Sequence, residues 1–156
     1  MIDVATQLDL SGRLIVAAIL GGLIGLEREL HGHPAGIRTH ILVALGAAAF
    51  TIMSAYGFGN APNGGSVDPT RIAAQVVTGV GFLGAGAILK DGIAIRGLTT
   101  AASLWAVSAV GLSAGGGAYV IALVATATIL VALWPLNSLV TRLRIGATAH
   151  GADRSA

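Results

Sequence analysis

The placement of the charged residues constrains this chain most, because they leave five apolar stretches nearly bare, at about Ser11–Leu26, Thr39–Phe58, Arg71–Leu89, Leu98–Ser113 and Ala118–Trp134. Charged, Gly-rich or Pro-containing residues separate each stretch from the next. Roughly 20 apolar residues cross the hydrocarbon of a bilayer as a helix, and a helix bonds all its backbone groups within its own segment. Hydrophobic residues make up 54% of the 156 and charged residues 10%, against about a quarter charged in soluble domains. Most of the apolar content is Ala, Gly, Val, Leu and Ile, with aromatics at 4%. Small side chains of this kind suit helices packed closely in lipid better than one soluble core. With no Cys in the chain, disulfides, thiolate metal sites and cysteine nucleophiles are excluded together.

The expected fold is all-α, a polytopic membrane bundle of about five transmembrane helices over residues 1–136, with a short cytoplasmic tail at 137–156. The first stretch reads as a span and not a cleavable leader, since Asp3 and Asp9 precede it, no early Lys or Arg does, and no small-x-small site follows. Arg13 is close enough to its start to snorkel to an interface. Ala114-Gly115-Gly116-Gly117 joins the last two helices so tightly that they form an antiparallel hairpin, and Pro135 ends or kinks the final one. Five spans place Arg28, Arg38, Lys90, Arg96, Arg142, Arg144 and Arg154 on one side and Arg13 and Arg71 on the other, seven against two. The positive-inside rule then puts the N-terminus outside and the C-terminus in the cytoplasm. These scattered basic residues form no stripe, so no nucleic-acid partner is expected.

Gly79-Val80-Gly81-Phe82-Leu83-Gly84 matches the GxGxxG dinucleotide fingerprint. It lies mid-span, with no preceding strand and no acid from Thr99 to Ala114. The glycines are read instead as a flat face: Gly79, Gly81, Gly84 and Gly86 on the third helix, and Gly21 and Gly25 on the first, let a neighbouring helix or a second subunit approach closely. Trp105 is expected to fill space between helices.

Polar chemistry concentrates at Glu27, Arg28, Glu29, His31, His33, Arg38 and His40. In its structural reading the cluster anchors helix ends at the interface; in its functional reading Glu27 and Arg38 face each other across the loop, pairing with Arg28 or Lys90. His31-x-His33 lacks a third ligand in register, and no metal or cofactor is expected. Arg71 and Gln75 share a helical face at the outer end of the third helix, either as a site or as an interfacial anchor. Thr99 and Thr100, with Lys90, Asp91 and Arg96, are candidates for a polar cavity at the cytoplasmic face, and Thr39 joins Glu27, Arg28 and Arg38 in the candidate polar cluster. The acids all fall in termini, loops or helix ends, which argues against a Mg²⁺ pump or a proton-coupled carrier. Ser103, Ser108 and His40 show no spacing that assembles a nucleophile and base, so no enzyme is expected.

Three stretches taken together, Gly21–Glu29 with Ala35–Thr39, Arg71–Gln75 through Gly79–Gly86, and Arg96–Trp105, resemble the MgtC/SapB family of bacterial inner-membrane proteins over roughly residues 13–136. The resemblance implies about five membrane helices, a cytoplasmic C-terminus, and a link to Mg²⁺ limitation and, in some pathogens, to survival inside host cells. It leads to the expectation of a non-enzymatic membrane protein that aids adaptation to low magnesium by contacting another membrane protein. The alternative is a small channel or carrier for magnesium or another solute. Besides the bilayer, a membrane-protein partner and a homodimer are the expected associations.

Overall fold

A computed structural model describes residues 3–57, 68 and 70–134. Five helices run in the expected order: α1 (Val4–Leu30), α2 (Ile37–Tyr56), α3 (Arg71–Ala87), α4 (Leu98–Gly115) and α5 (Tyr119–Leu133). Phe58, Pro135 and the tail with Arg142, Arg144 and Arg154 lie outside the described residues. The first helix departs most from expectation, starting two turns before Ser11. Asp3 caps it, its carboxylate accepting from the Thr6 N–H at 3.1 Å, and Asp9 pairs with Arg13 one turn on at 2.6 Å. An i,i+4 pair of opposite charges supports a helix rather than ending it. The span expected over Ser11–Leu26 is therefore the longest of the described helices, 27 residues or about 40 Å.

The segment between α3 and α4 holds an unexpected two-stranded hairpin, β1 (Leu89–Asp91) pairing antiparallel with β2 (Ala94–Arg96). Its two-residue loop starts with Gly92 at φ +61, the geometry of a tight hairpin turn. At the ends of α1 and α4, Gly32 and Gly117 adopt left-handed backbone. In each, the amide of the next residue turns back on the last carbonyls: His33 N–H to Arg28 O and Ala118 N–H to Ser113 O, at 3.0 and 2.8 Å.

Close approaches fix the helix directions. Gly21 lies against Ala44 while Gly25 lies against Ile37, so α1 and α2 are antiparallel; Gly111 and Gly115 meet Ala44 and Ala48 in the same order, so α2 and α4 are parallel. Gly84 opposite Ala101 and Gly97 opposite Ala87 make α3 antiparallel to α4. Direction thus alternates along the chain, and one end of the bundle gathers Arg13 and Arg71, the other Arg28, Arg38 and the hairpin with Lys90 and Arg96.

The packing differs from that of a soluble protein in what it leaves outside. The interior combines Ala17, Ala44, Ala47, Ala48, Ala114 and Ala122 with Leu20, Ile24, Val107 and Val110 and with the hydroxyls of Thr100, Ser103, Ser108 and Thr126, whereas Ile15, Ile19, Leu42, Phe82, Trp105 and Val120 face outward. Trp105 thus faces out of the bundle instead of filling space between helices. Large apolar residues can stand outside because the solvent there is hydrocarbon, and the small residues among those inside allow dispersion contacts at short range. Interior hydroxyls bond back to their own helices, as Thr126 does to Ala122 O at 2.8 Å, and among the described residues no buried side-chain polar atom lacks a partner. Val4–Leu30, Ile37–Tyr56 and Leu98–Gly115 are long and apolar enough to cross a membrane; α3 and α5 are apolar but shorter, at 17 and 15 residues.

The tightest seam is the grip of α1 and α4 on α2. A Cβ on Gly21 would stand 2.7 Å from Ala44 Cβ, one on Gly25 2.6 Å from Ile37 Cα, and one on Gly115 2.6 Å from Ala48 O; on Gly111 it would collide with Ala44 O. By contrast Gly79, Gly81 and Gly86 have nothing within 4 Å, and Gly84 makes only ordinary contact with Ala101 at 3.6 Å. Among the described residues, then, the glycine-rich face of α3 does not mate with a neighbouring helix except at Gly84. Gly111→Ala is expected to lower the unfolding free energy by about 1–3 kcal/mol, and Gly81→Ala to leave it unchanged or raise it by up to about 1 kcal/mol. Thermal unfolding of the two variants in detergent measures the difference.

Candidate functional site

At the arginine-rich end, α1 closes with three charges in succession. The Arg28 guanidinium is buried, 2% exposed, with Nε donating to Glu27 Oε2 at 2.6 Å and Nη2 to Glu27 Oε1 at 3.1 Å. His31 Nδ1 lies 2.8 Å from the Glu27 carbonyl and 3.1 Å from its Oε1. Glu29 reaches over the loop to accept the Ile37 N–H at 2.8 Å, placing a carboxylate at the positive end of α2. Burial pushes the His33 imidazole below its ordinary 6.5, and the nearby Arg28 charge pushes it further down, against a smaller pull from Glu27.

The cluster therefore forms, with Arg28 as the partner of Glu27, one of the two pairings the sequence suggested. Glu27 pairs with Arg28 and not with Arg38; Arg38 is exposed and makes no ion pair among the described residues. Lys90, Asp91 and Arg96 sit on the exposed hairpin, where Arg96 and Asp91 make a loose contact at 3.9 Å with both side chains 75% exposed. Thr100 is buried in the bundle and Thr99 faces outward, so the hairpin and the start of α4 do not close a polar cavity together.

Between α2 and α4 lies a contact that sequence spacing could not reveal. His40, fully buried, places Nε2 3.1 Å from Ser103 Oγ and Nδ1 2.9 Å from the Gly36 carbonyl. A carbonyl only accepts, so Nδ1 carries the proton. Ser103 Oγ in turn donates to Thr100 O at 2.8 Å. The spacing of His40 and Ser103, 63 residues apart, gave no sign that they meet. Both are sealed from solvent, and the dyad fastens the two helices. The Gly111 and Gly115 seam was also missed, though its GxxxG spacing was visible; the helix had been ended at Ser113, before the second glycine.

A cleft of about 570 Å³ lies between α2 and α3. Its walls are apolar apart from Arg38 and Thr39 at the start of α2 and Gln75 on α3, so three of the candidate polar residues do share one site. Arg71, one turn before Gln75 and exposed, is not in its lining. At the opposite end of the bundle Arg13 bridges Asp9 and the Gly115 carbonyl, the latter at 3.2 Å, neutralising the negative end of α4. Among the described residues no three His, Asp or Glu side chains are grouped to hold a metal ion.

Glu27→Gln strands a buried guanidinium and is expected to cost about 3–5 kcal/mol, most of which the double variant Glu27→Gln/Arg28→Met should restore; chemical or thermal unfolding in detergent compares the three proteins. His33, held below its unfolded value, binds protons better in the unfolded chain, so its contribution is complete above pH 6.5 and is lost as pH falls through the lower folded value. Acidification from about pH 7.5 to about 5.5 should thus lower the melting temperature of the wild type more than that of His33→Gln.

Comparison with known proteins accords with the architecture. The MgtC family description matches residues 14–142. YhiD of Escherichia coli (strain K12), proposed by its name to be a magnesium transporter, is 48% identical over 133 residues, covering 84% of this chain and 62% of its own. Protein MgtC of Brucella abortus (strain 2308) is 47% identical over 136 residues, covering 87% of this chain and 55% of its own. An uncharacterized Haemophilus influenzae protein is 43% identical over 140 residues, covering 87% and 58%. The chain therefore spans little more than half the length of these relatives. No solved structure matches it. With most of its length matched, and with membrane-length apolar helices carrying it, the chain belongs to the MgtC family of membrane proteins.

Proposed function

We propose that the chain is a multi-pass protein of the bacterial inner membrane, N-terminus outside and C-terminus cytoplasmic, that aids adaptation to low magnesium by regulating a membrane partner and neither conducts Mg²⁺ nor catalyses a reaction. The observation that carries this reading is the chemistry of the α2–α3 cleft. Mg²⁺ demands oxygen ligands and gives up its waters reluctantly, yet the lining offers a guanidinium, one hydroxyl and one amide among apolar walls. Glu27, the buried carboxylate nearest in kind to a cation ligand, is already neutralised by Arg28 at 2.6 Å. Magnesium enters through the family and through the name of the Escherichia coli relative. Five crossings are favoured by the alternating helix directions, and the orientation by the sorting of Arg28, Arg38, Lys90 and Arg96 to one end.

The second reading, a small channel or carrier, is favoured by Gln75, an uncharged polar side chain in an otherwise apolar wall. Reconstitution separates the two. The purified chain in liposomes should show no Mg²⁺ uptake above protein-free vesicles, while its expression in a strain lacking the endogenous protein should restore growth at limiting Mg²⁺. Uptake abolished by Gln75→Ala would establish transport instead. A C-terminal green-fluorescent fusion should fluoresce, and an alkaline phosphatase fusion at the same point should be inactive; the reverse pattern would invert the orientation.

A further inference from the structure

We propose that the cleft between α2 and α3 is a binding site for one anionic phospholipid, an acyl chain lying along the groove and the phosphate resting on Arg38. The groove's volume, about 570 Å³, falls in the range of sites built for small molecules. It runs along α2 from Arg38 to Phe50, twelve residues or about 18 Å. One leaflet of hydrocarbon is half of roughly 30 Å, so the groove is as deep as a single lipid tail is long. Its walls fit a tail: Phe50 and Leu83 are half exposed to the surroundings, and Gly46 and Gly79 leave it open, since a Cβ on either meets nothing within 4 Å.

The polar groups stand where a headgroup would. Arg38 and Thr39 occupy the first turn of α2, the end where arginines collect, and neither makes a side-chain hydrogen bond or ion pair among the described residues. Glu29 takes the Ile37 N–H, leaving the guanidinium and the hydroxyl to face an incoming anion. An arginine beside a phosphate forms charge-assisted bonds. A second copy of this chain fits the groove less well, because a two-fold interface would bring two Arg38 side chains to the same contact. The site is independent of whether the protein regulates or transports.

Native mass spectrometry of the detergent-purified chain titrated with phosphatidylglycerol or phosphatidylcholine of identical tails tests this. The wild type should retain phosphatidylglycerol about fivefold better, Arg38→Gln should reduce that retention to the phosphatidylcholine level, and Gly79→Leu should lose both lipids. Gly81→Leu, also in open space but outside the groove lining, should behave as wild type, and unchanged melting temperatures show that the variants fold. Equal retention of the two lipids, or full phosphatidylglycerol retention by Arg38→Gln or Gly79→Leu, overturns the proposal. Inorganic phosphate displacing neither lipid supports it; displacement of phosphatidylglycerol by phosphate alone would reduce the site to an anion contact and refute the role of the groove. A dimer that Gly79→Leu dissociates, with lipid retention unchanged, would assign the groove to a second copy and likewise refute it.

Discussion

The rest of the bundle depends on backbone-to-backbone contact at α2. In lipid, apolar side chains gain nothing by leaving one hydrocarbon for another, so helices associate through dispersion at short range and through polar bonds. Gly21 and Gly25 from α1, and Gly111 and Gly115 from α4, press on the alanines and backbone of the same helix from two sides. At that separation short polar side chains can reach across, and His40 meets Ser103 at 3.1 Å. The same proximity brings Arg13 of α1 within 3.2 Å of the last carbonyls of α4. Polar fastening is thus a consequence of small-residue packing, and it sets the order and direction of α1, α2 and α4.

What the sequence disclosed follows from the same physics. Five apolar runs and the Gly21/Gly25 spacing were legible because span length and i,i+4 periodicity are local properties. The glycines at 79–86 misled because spacing shows that a face is flat without showing what it faces. Gly111 and Gly115 were hidden by a helix boundary placed two residues early, at Ser113. The start of α1 lies two turns before the apolar run because the charge of Asp9 is met by Arg13 one turn away at 2.6 Å, so the helix continues past the end of that run. Pairing of His40 with Ser103 depends on helix rotation, which no local pattern encodes, whereas Arg28 was among the partners the sequence offered for Glu27.

α3 and α5 are attached to this core more lightly. α5 buries only Ala122 and Thr126, and α3 only Val80 and Gly84. The cleft lies on this looser side of the bundle, between the tightly held α2 and the lightly held α3. Whatever occupies it is therefore in contact with the part of the fold that moves at least energetic cost, since opening free energy falls where few contacts are buried.

The charges of the α1 terminus have an electrical consequence. Glu27 and Arg28 are successive residues and bond to each other, so the buried ion pair carries no net charge; Asp9 and Arg13 cancel in the same way within one turn at the other end. A transmembrane voltage does work only on net charge displaced through the field, and on neutral pairs it exerts almost none. Of the charges within α1 only Glu29 stands outside these pairs, so a shift of the helix along the membrane normal would couple to voltage chiefly through that one carboxylate.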